Sequence, residues 1–175
     1  MRIFVAEKNG IKLSNITNHT DPFTEDYCVR PDCFVCRTAP KPTKGSCWRL
    51  GTVYRIDCIE CLKRGISGVY HGESGFSPYY RGRFHLDGLR RGAKDNVLYS
   101  HNLEHHPEKR MQMSDFRMTV VDQYSRPILR QSHEGLSIAH SIRERDEGAR
   151  VVLLNSKKEF YQPGIINPSF QPARA

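Results

Sequence analysis

The chain has 175 residues, with 27 Lys and Arg against 19 Asp and Glu, a net charge of +8 and a pI near 9.3. That length suits one domain of ordinary size with a real core, and that charge favours a polyanionic partner such as nucleic acid or an acidic membrane surface. No apolar run reaches the roughly 18 residues that mark a membrane span, and MRIFVAEKNGIKLSN lacks the apolar centre of a secretion signal, so a soluble intracellular protein is expected.

Residues 1–27 are polar apart from Ile3 to Ala6 and read as a lead-in segment, the tail of something larger. The six cysteines follow, at 28, 33, 36, 47, 58 and 61, and include two Cys-x-x-Cys pairs. Without a secretion signal this pattern reads as metal binding before disulfides. The stretch CVRPDCFVCRTAPKPTKGSC has too few aliphatic side chains for a core. A zinc ion on Cys28, Cys33, Cys36 and Cys47 is therefore expected to organise a cysteine-rich lobe over residues 28–50, with His19 or no fourth ligand as the alternatives to Cys47.

From Thr52 to Cys58 the pattern alternates, with Tyr54, Ile56 and Cys58 on one face and Val53, Arg55 and Asp57 on the other, as in a strand. Gly68 to Gly72 is a second strand, joined to the first as a hairpin through KRGIS. Ser77-Pro78 supplies an N-cap and a first-turn proline for a helix to about Gly92, carrying Arg81 and His85 one turn apart. Asn96 to His105 predicts a second helix with His101 and His105 four residues apart. Asp115 to Tyr124 predicts a third strand. Pro127 then opens a helix to about Arg145, with an inward stripe at Ile128, Gln131, Gly135, Ile138 and Ile142 and with Glu134 beside it. A short helix at about 150–156 and a poorly ordered tail close the chain. The fold class expected is α+β, a small, largely antiparallel three-stranded sheet flanked by helices.

Three groups of residues carry chemistry. Tyr54, Tyr70, Arg81, His85 and Glu134 suit phosphodiester hydrolysis: a carboxylate for a divalent metal, an arginine for phosphate charge, and phenol or imidazole to activate water. The competing reading makes the tyrosines half-buried core residues and the rest solvated. Cys58, Cys61, His101 and His105 can close a tetrahedral zinc shell with no open position, hence a structural metal, with His106 as a substitute ligand. Arg83, Arg90, Arg91 and Lys94 lie along or just after the first long helix and suit phosphate contacts along DNA.

The order of these residues resembles the GIY-YIG nuclease domain, and more narrowly the endonuclease domain of Penelope-like retroelements. Tyr54 in TVYRI stands for the first signature tyrosine, and Tyr70-His71-Gly72 followed by Glu73 for the second motif. Arg81 and His85 match the helix arginine and histidine, Glu134 the metal-binding glutamate, and Asn155 the asparagine near the end of the domain. The inserted Cys58-x-x-Cys61, the downstream histidine pair and the upstream cysteine cluster match the Penelope-like variant. Thr52, His71, Phe76, Phe84 and Gly135 depart from the family's usual residues.

The resemblance implies a GIY-YIG fold over residues 51–163, followed by a tail at 164–175. It also implies a DNA endonuclease with magnesium or manganese on Glu134 and one or two structural zinc ions. Tyr54 or His85 would be the base, with Tyr70 and Asn155 also at the centre. The nick would give a 3′ hydroxyl for target-primed reverse transcription in the nucleus. DNA, the element's reverse transcriptase and its RNA would be the partners, with no membrane. The alternative is an inactive, zinc-stabilised nucleic-acid-binding module derived from such a nuclease.

Overall fold

A computed structural model describes residues 28, 30–39 and 46–155. The expected lead-in segment at 1–27, the alternative ligand His19 and the tail at 164–175 lie outside the described residues.

Strand β1, Thr52–Cys58, is the centre of the structure, because both of its faces are covered. Tyr54, Ile56 and Cys58 are fully buried on one face, and Val53 and Asp57 are buried on the other. Strand β2, Ser67–Ser74, pairs antiparallel with it, placing Tyr54 opposite Gly72 and Ile56 opposite Tyr70. Strand β3, Phe116–Gln123, lies antiparallel on the other side, with Met118 opposite Ile56 and Phe116 opposite Cys58.

The sheet has a fourth strand that the sequence reading did not anticipate. Residues 151–153, expected within a helix, form β4, Val151–Leu153, parallel to β2. The order is β3-β1-β2-β4, a mixed sheet and not a three-stranded one. Two physical causes act here. Gly148, at φ 97, takes a left-handed conformation that turns the chain after the preceding helix. Val151 and Val152 are β-branched, and backbone bonds from Ser67 to Arg150 (2.8 Å) and from Leu154 to Val69 (2.8 Å) complete the ladder at both ends.

Helices cover both faces. The first three are α1, Phe34–Thr38, α2, Ile59–Lys63, and α3, Pro78–Arg91. Two more follow, α4, Val97–His105, and α5, Pro127–Asp146. Helix α3 lies on the Tyr54 face, where Gly82 lets its backbone come close: a Cβ there would stand 3.0 Å from the Phe34 Cβ and 3.2 Å from the Met118 sulfur. The cysteine-rich segment is not held by metal ligands alone. Phe34 and Val35 are buried in the same core as Ile56, Leu86, Leu98, Phe116 and Met118. The Thr38 hydroxyl accepts the Met118 N–H (2.9 Å), tying α1 to strand β3.

Helix α5 lies on the opposite face, where the His71 ring reaches the Ser141 hydroxyl (2.9 Å). Its buried positions are Arg130, Ile138 and Ser141, so the expected stripe is rotated and Ile128 is exposed. The cause is Arg130. Its guanidinium pairs with Glu73 (2.7 Å) and donates to the carbonyls of Tyr124 (3.0 Å) and Ser125 (3.2 Å), which draws the first turn inward on that side. Glu134, one turn after Arg130, therefore shares the inward stripe. Among the described residues no helix is long and apolar enough to cross a membrane.

Candidate active site and metal centres

The antiparallel register brings Tyr54 and Tyr70 into a diagonal cross-strand pair on the face covered by α3. Their rings lie 6.2 Å apart, and each meets the His85 ring edge-on, at 5.9 and 5.4 Å. Gly72 is what makes room for them. A Cβ there would stand 2.5 Å from the Tyr54 Cζ, 2.6 Å from its hydroxyl and 2.8 Å from Tyr70. From α3, one turn apart, Arg81 donates its Nε–H to the Tyr54 oxygen (3.0 Å) and His85 Nε2 lies 3.0 Å from the same oxygen. Three elements thus converge on one phenol.

The electrostatics of this cluster follow from its burial. Tyr54 is pushed up to about 12 by desolvation, against the favourable charge and hydrogen bond of Arg81; the Glu134 carboxylate adds to the upward push. His85 is held down at about 3 by desolvation and by the Arg81 charge. At neutral pH the phenol is therefore protonated and the imidazole neutral. Arg81 occupies one lone pair of the Tyr54 oxygen, so the phenol proton is available to His85 Nε2 as acceptor.

Glu134 comes from α5, half-buried, and reaches the phenol cluster through its charge on Tyr54. Asn155 is placed differently. Its amide accepts the His71 N–H (2.9 Å) and donates to the His71 carbonyl (2.7 Å), fastening the chain after β4 to β2 beside Tyr70. It supports the strand that carries Tyr70. Sequence reasoning missed Arg130 and Asn96 as supports. Asn96 caps α4 through bonds from the Leu98 and Tyr99 N–H groups (3.1 and 3.2 Å) and donates to the His85 carbonyl (3.1 Å). An asparagine at the first position of the predicted helix is the signal that could have found it.

Two closed sets of metal donors stand beside this cluster. In each, one donor atom per residue lies within 4.8 Å of all the others. The first is Cys28, Cys33, Cys36 and Cys47, the set expected from the spacing. Thiols of Cys36 and Cys47 donate to the Cys33 sulfur, holding Cys33 well below the ordinary thiol range, and the same contacts push Cys36 and Cys47 up. One cation in place of the shared protons would satisfy all four sulfurs.

The second set is Cys58, Cys61, His101 and His106, which corrects the expected ligand His105. Helical spacing does put His105 on the face of His101, and their rings lie 4.9 Å apart. But α4 ends at His105, and His106 leaves helical geometry at φ −141, ψ 51. The Asn102 amide holds that reversal, donating to the carbonyls of His106 (2.7 Å) and Lys109 (2.7 Å). The break in the helix aims the His106 imidazole at the sulfurs, while His105 lies half-exposed beside Glu104.

The donor set fits zinc. The Cys61 sulfur is 3.4 Å from His101 Nε2 and 3.3 Å from His106 Nε2, and the Cys58 sulfur is 3.5 Å from His106 Nε2. Zinc–sulfur and zinc–nitrogen bonds of about 2.3 and 2.1 Å at tetrahedral angles put such atoms about 3.5 Å apart. Gly68 lets β2 pass over the pair, since a Cβ there would meet the Cys61 sulfur at 2.9 Å. Desolvation holds His101 at about 4 and lowers His106, so both imidazoles are neutral, as ligands must be.

Of the basic residues expected on DNA, Arg83, Arg90, Arg91 and Lys94 are all exposed. Arg83 lies 3.9 Å from Asp32 and Arg90 3.6 Å from Asp87, while Arg91 donates to the Asp87 carbonyl (3.2 Å). No protein-family model, curated protein or solved structure matches the chain.

Proposed function

We propose that the chain is a metal-dependent DNA endonuclease with the GIY-YIG fold that its sequence resembles. The observation that carries this reading is the convergence of Arg81 and His85 on the Tyr54 hydroxyl, beside Tyr70 and over Gly72. A core tyrosine needs one hydrogen-bond partner, whereas a guanidinium and an imidazole on the same phenol suit phosphate binding and an oriented hydroxyl.

In this reading the phenol of Tyr54 orients the attacking water, its own proton held in a hydrogen bond to the neutral Nε2 of His85, and the water's proton leaves to a phosphate oxygen or to solvent. Arg81 stabilises the charge that develops on the phosphate, and Tyr70 holds the phenol in place. Glu134 would hold a magnesium or manganese ion, which would supply positive charge to the phosphate undergoing cleavage. The exposed Arg83, Arg90, Arg91 and Lys94 position the duplex without reading its sequence. The zinc sets are structural. The nick would supply a 3′ hydroxyl to the element's nuclear reverse transcriptase, which uses its RNA as template.

The test is nicking of supercoiled plasmid with magnesium. Tyr54→Phe and Arg81→Ala should each slow nicking by about 10²-fold or more, as should Glu134→Ala. Equal nicking by the parent and Glu134→Ala would sink the metal assignment. No nicking by the parent with any metal or DNA form would favour the inactive binding module.

A further inference from the structure

All three exposed aromatic side chains among the described residues lie within nine positions of one another. Phe76 is 75%, Tyr80 61% and Phe84 59% exposed, whereas Phe34, Tyr54, Tyr70, Tyr79 and Phe116 are buried. Nothing in the core requires these three rings to face outward. Their neighbours hold them in place. Tyr80 meets Tyr79 and Trp48 edge-on at 5.6 and 6.5 Å, and the N–H of Phe76 is fixed by the Ser74 hydroxyl (3.0 Å). Phe84 lies under the Arg81 guanidinium at 5.1 Å, and Arg81 in turn bonds the Tyr54 oxygen. The aromatic surface thus begins one side chain away from the phenol cluster.

The charge along the same helix selects the occupant. Its outward face continues from Tyr80 and Phe84 through Arg83 to Arg90 and Arg91, and its one acidic residue, Asp87, faces Arg90. Flat rings interleaved with arginines match a polyanion that carries flat rings, which is single-stranded nucleic acid. Bases inside an intact duplex present only their edges, so the rings are of use to DNA only where bases have left the stack.

We propose that Phe76, Tyr80 and Phe84 form a stacking platform for unpaired nucleobases next to the phenol cluster. On the nuclease reading above, on which this proposal rests, the preferred substrate is DNA that is single-stranded or splayed beside the cleaved phosphate. Phe76 and Phe84, two of the residues that depart from the family's pattern, then act together in substrate choice.

The test compares the full zinc-loaded chain with Tyr80→Leu, Phe84→Leu and the double variant, all at exposed positions where folding tolerates the change. Binding is read by fluorescence anisotropy, without added magnesium, on labelled oligo-dT of about 16 nucleotides and on a duplex of equal length. Oligo-dT binding should weaken about tenfold per ring, and duplex binding should stay within about twofold. Equal losses on both DNAs, or none on either, would overturn the platform. So would loss of self-association in the double variant without loss of oligo-dT binding, since that would make the face a protein interface. If the parent nicks plasmid and the variants bind oligo-dT as it does, the platform fails and the nuclease stands. If nothing nicks but the oligo-dT losses appear, the nuclease reading fails and the platform stands.

Discussion

Gly72→Ala should destabilise the chain, while Gly135→Ala, the same chemical change, should stabilise it. At Gly72 the added methyl would stand 2.5 Å from the Tyr54 ring and 2.8 Å from Tyr70, both buried and held by α3, so the rings have nowhere to yield cheaply. Forcing one carbon into such a core costs about 1–3 kcal/mol, against which replacing a strand glycine recovers about 0.5–1. A net loss of about 1–2 kcal/mol is expected. At Gly135 a Cβ would meet nothing within 4 Å, and a helix interior prefers alanine by about 1 kcal/mol, so stability should rise by about that amount. Urea unfolding of the zinc-loaded protein measures both. Repeating Gly72→Ala in a Tyr54→Ala background removes the contacts with Tyr54 and leaves the one with Tyr70, so the two changes should be non-additive by about 1 kcal/mol. Additivity within about 0.5 kcal/mol, or a neutral Gly72→Ala, would refute the claim that this glycine exists to seat the phenol.

Elemental analysis of the purified, unchelated protein should find two zinc ions per chain. His106→Ala and Cys33→Ser should each remove one, and His105→Ala should remove neither. Stability should fall on acidification, because His71 and His85 are kept uncharged by burial, at about 4 and about 3. Above the ordinary imidazole value of about 6.5 neither has any effect. Between there and its folded value each subtracts about 1.4 kcal/mol per pH unit, since only the unfolded chain takes up the proton. His85→Gln should flatten that slope by one proton, and an unchanged slope would show that His85 is not buried neutral. Arg130→Met should cost about 3 kcal/mol in urea unfolding, because it strands Glu73 and two backbone carbonyls. Asn96→Asp keeps the helix cap but replaces the donor to the His85 carbonyl with a repelling oxygen. It should cost about 1–3 kcal/mol and slow nicking.

Elements with strong local signals were legible in the sequence. Pro78 and Pro127 fix helix starts, and the alternation in Thr52–Cys58 and Phe116–Gln123 fixes two strands. The Cys-x-x-Cys pairs pointed to two metal sets because ligand spacing is itself local. What failed depends on distant partners. Val151–Leu153 becomes a strand only because β2 offers a free edge, and the α5 stripe turns toward Arg130 because Glu73, 57 residues earlier, waits for it. His106 replaced His105 because a helix ended one residue before it, and helical periodicity carries no information past a helix end.

The second metal set and the phenol cluster are mechanically joined, although no ligand touches Tyr54. Cys58 ends the strand that carries Tyr54, and the thiol pair lies against Gly68 at the start of the strand that carries Tyr70. His101 and His106 sit on and just after α4, whose cap Asn96 holds the His85 carbonyl. A cation on those four donors would therefore fix the hairpin that presents two phenols against the helix pair that presents His85 and Arg81. Helix α4 is short, so its placement rests on its caps and on what it packs against. A metal with four protein ligands has no open position for chemistry, but it can set the distance between the groups that do it. On the proposed nuclease reading, this is what a closed metal site placed beside the phenol cluster, and not within it, would contribute.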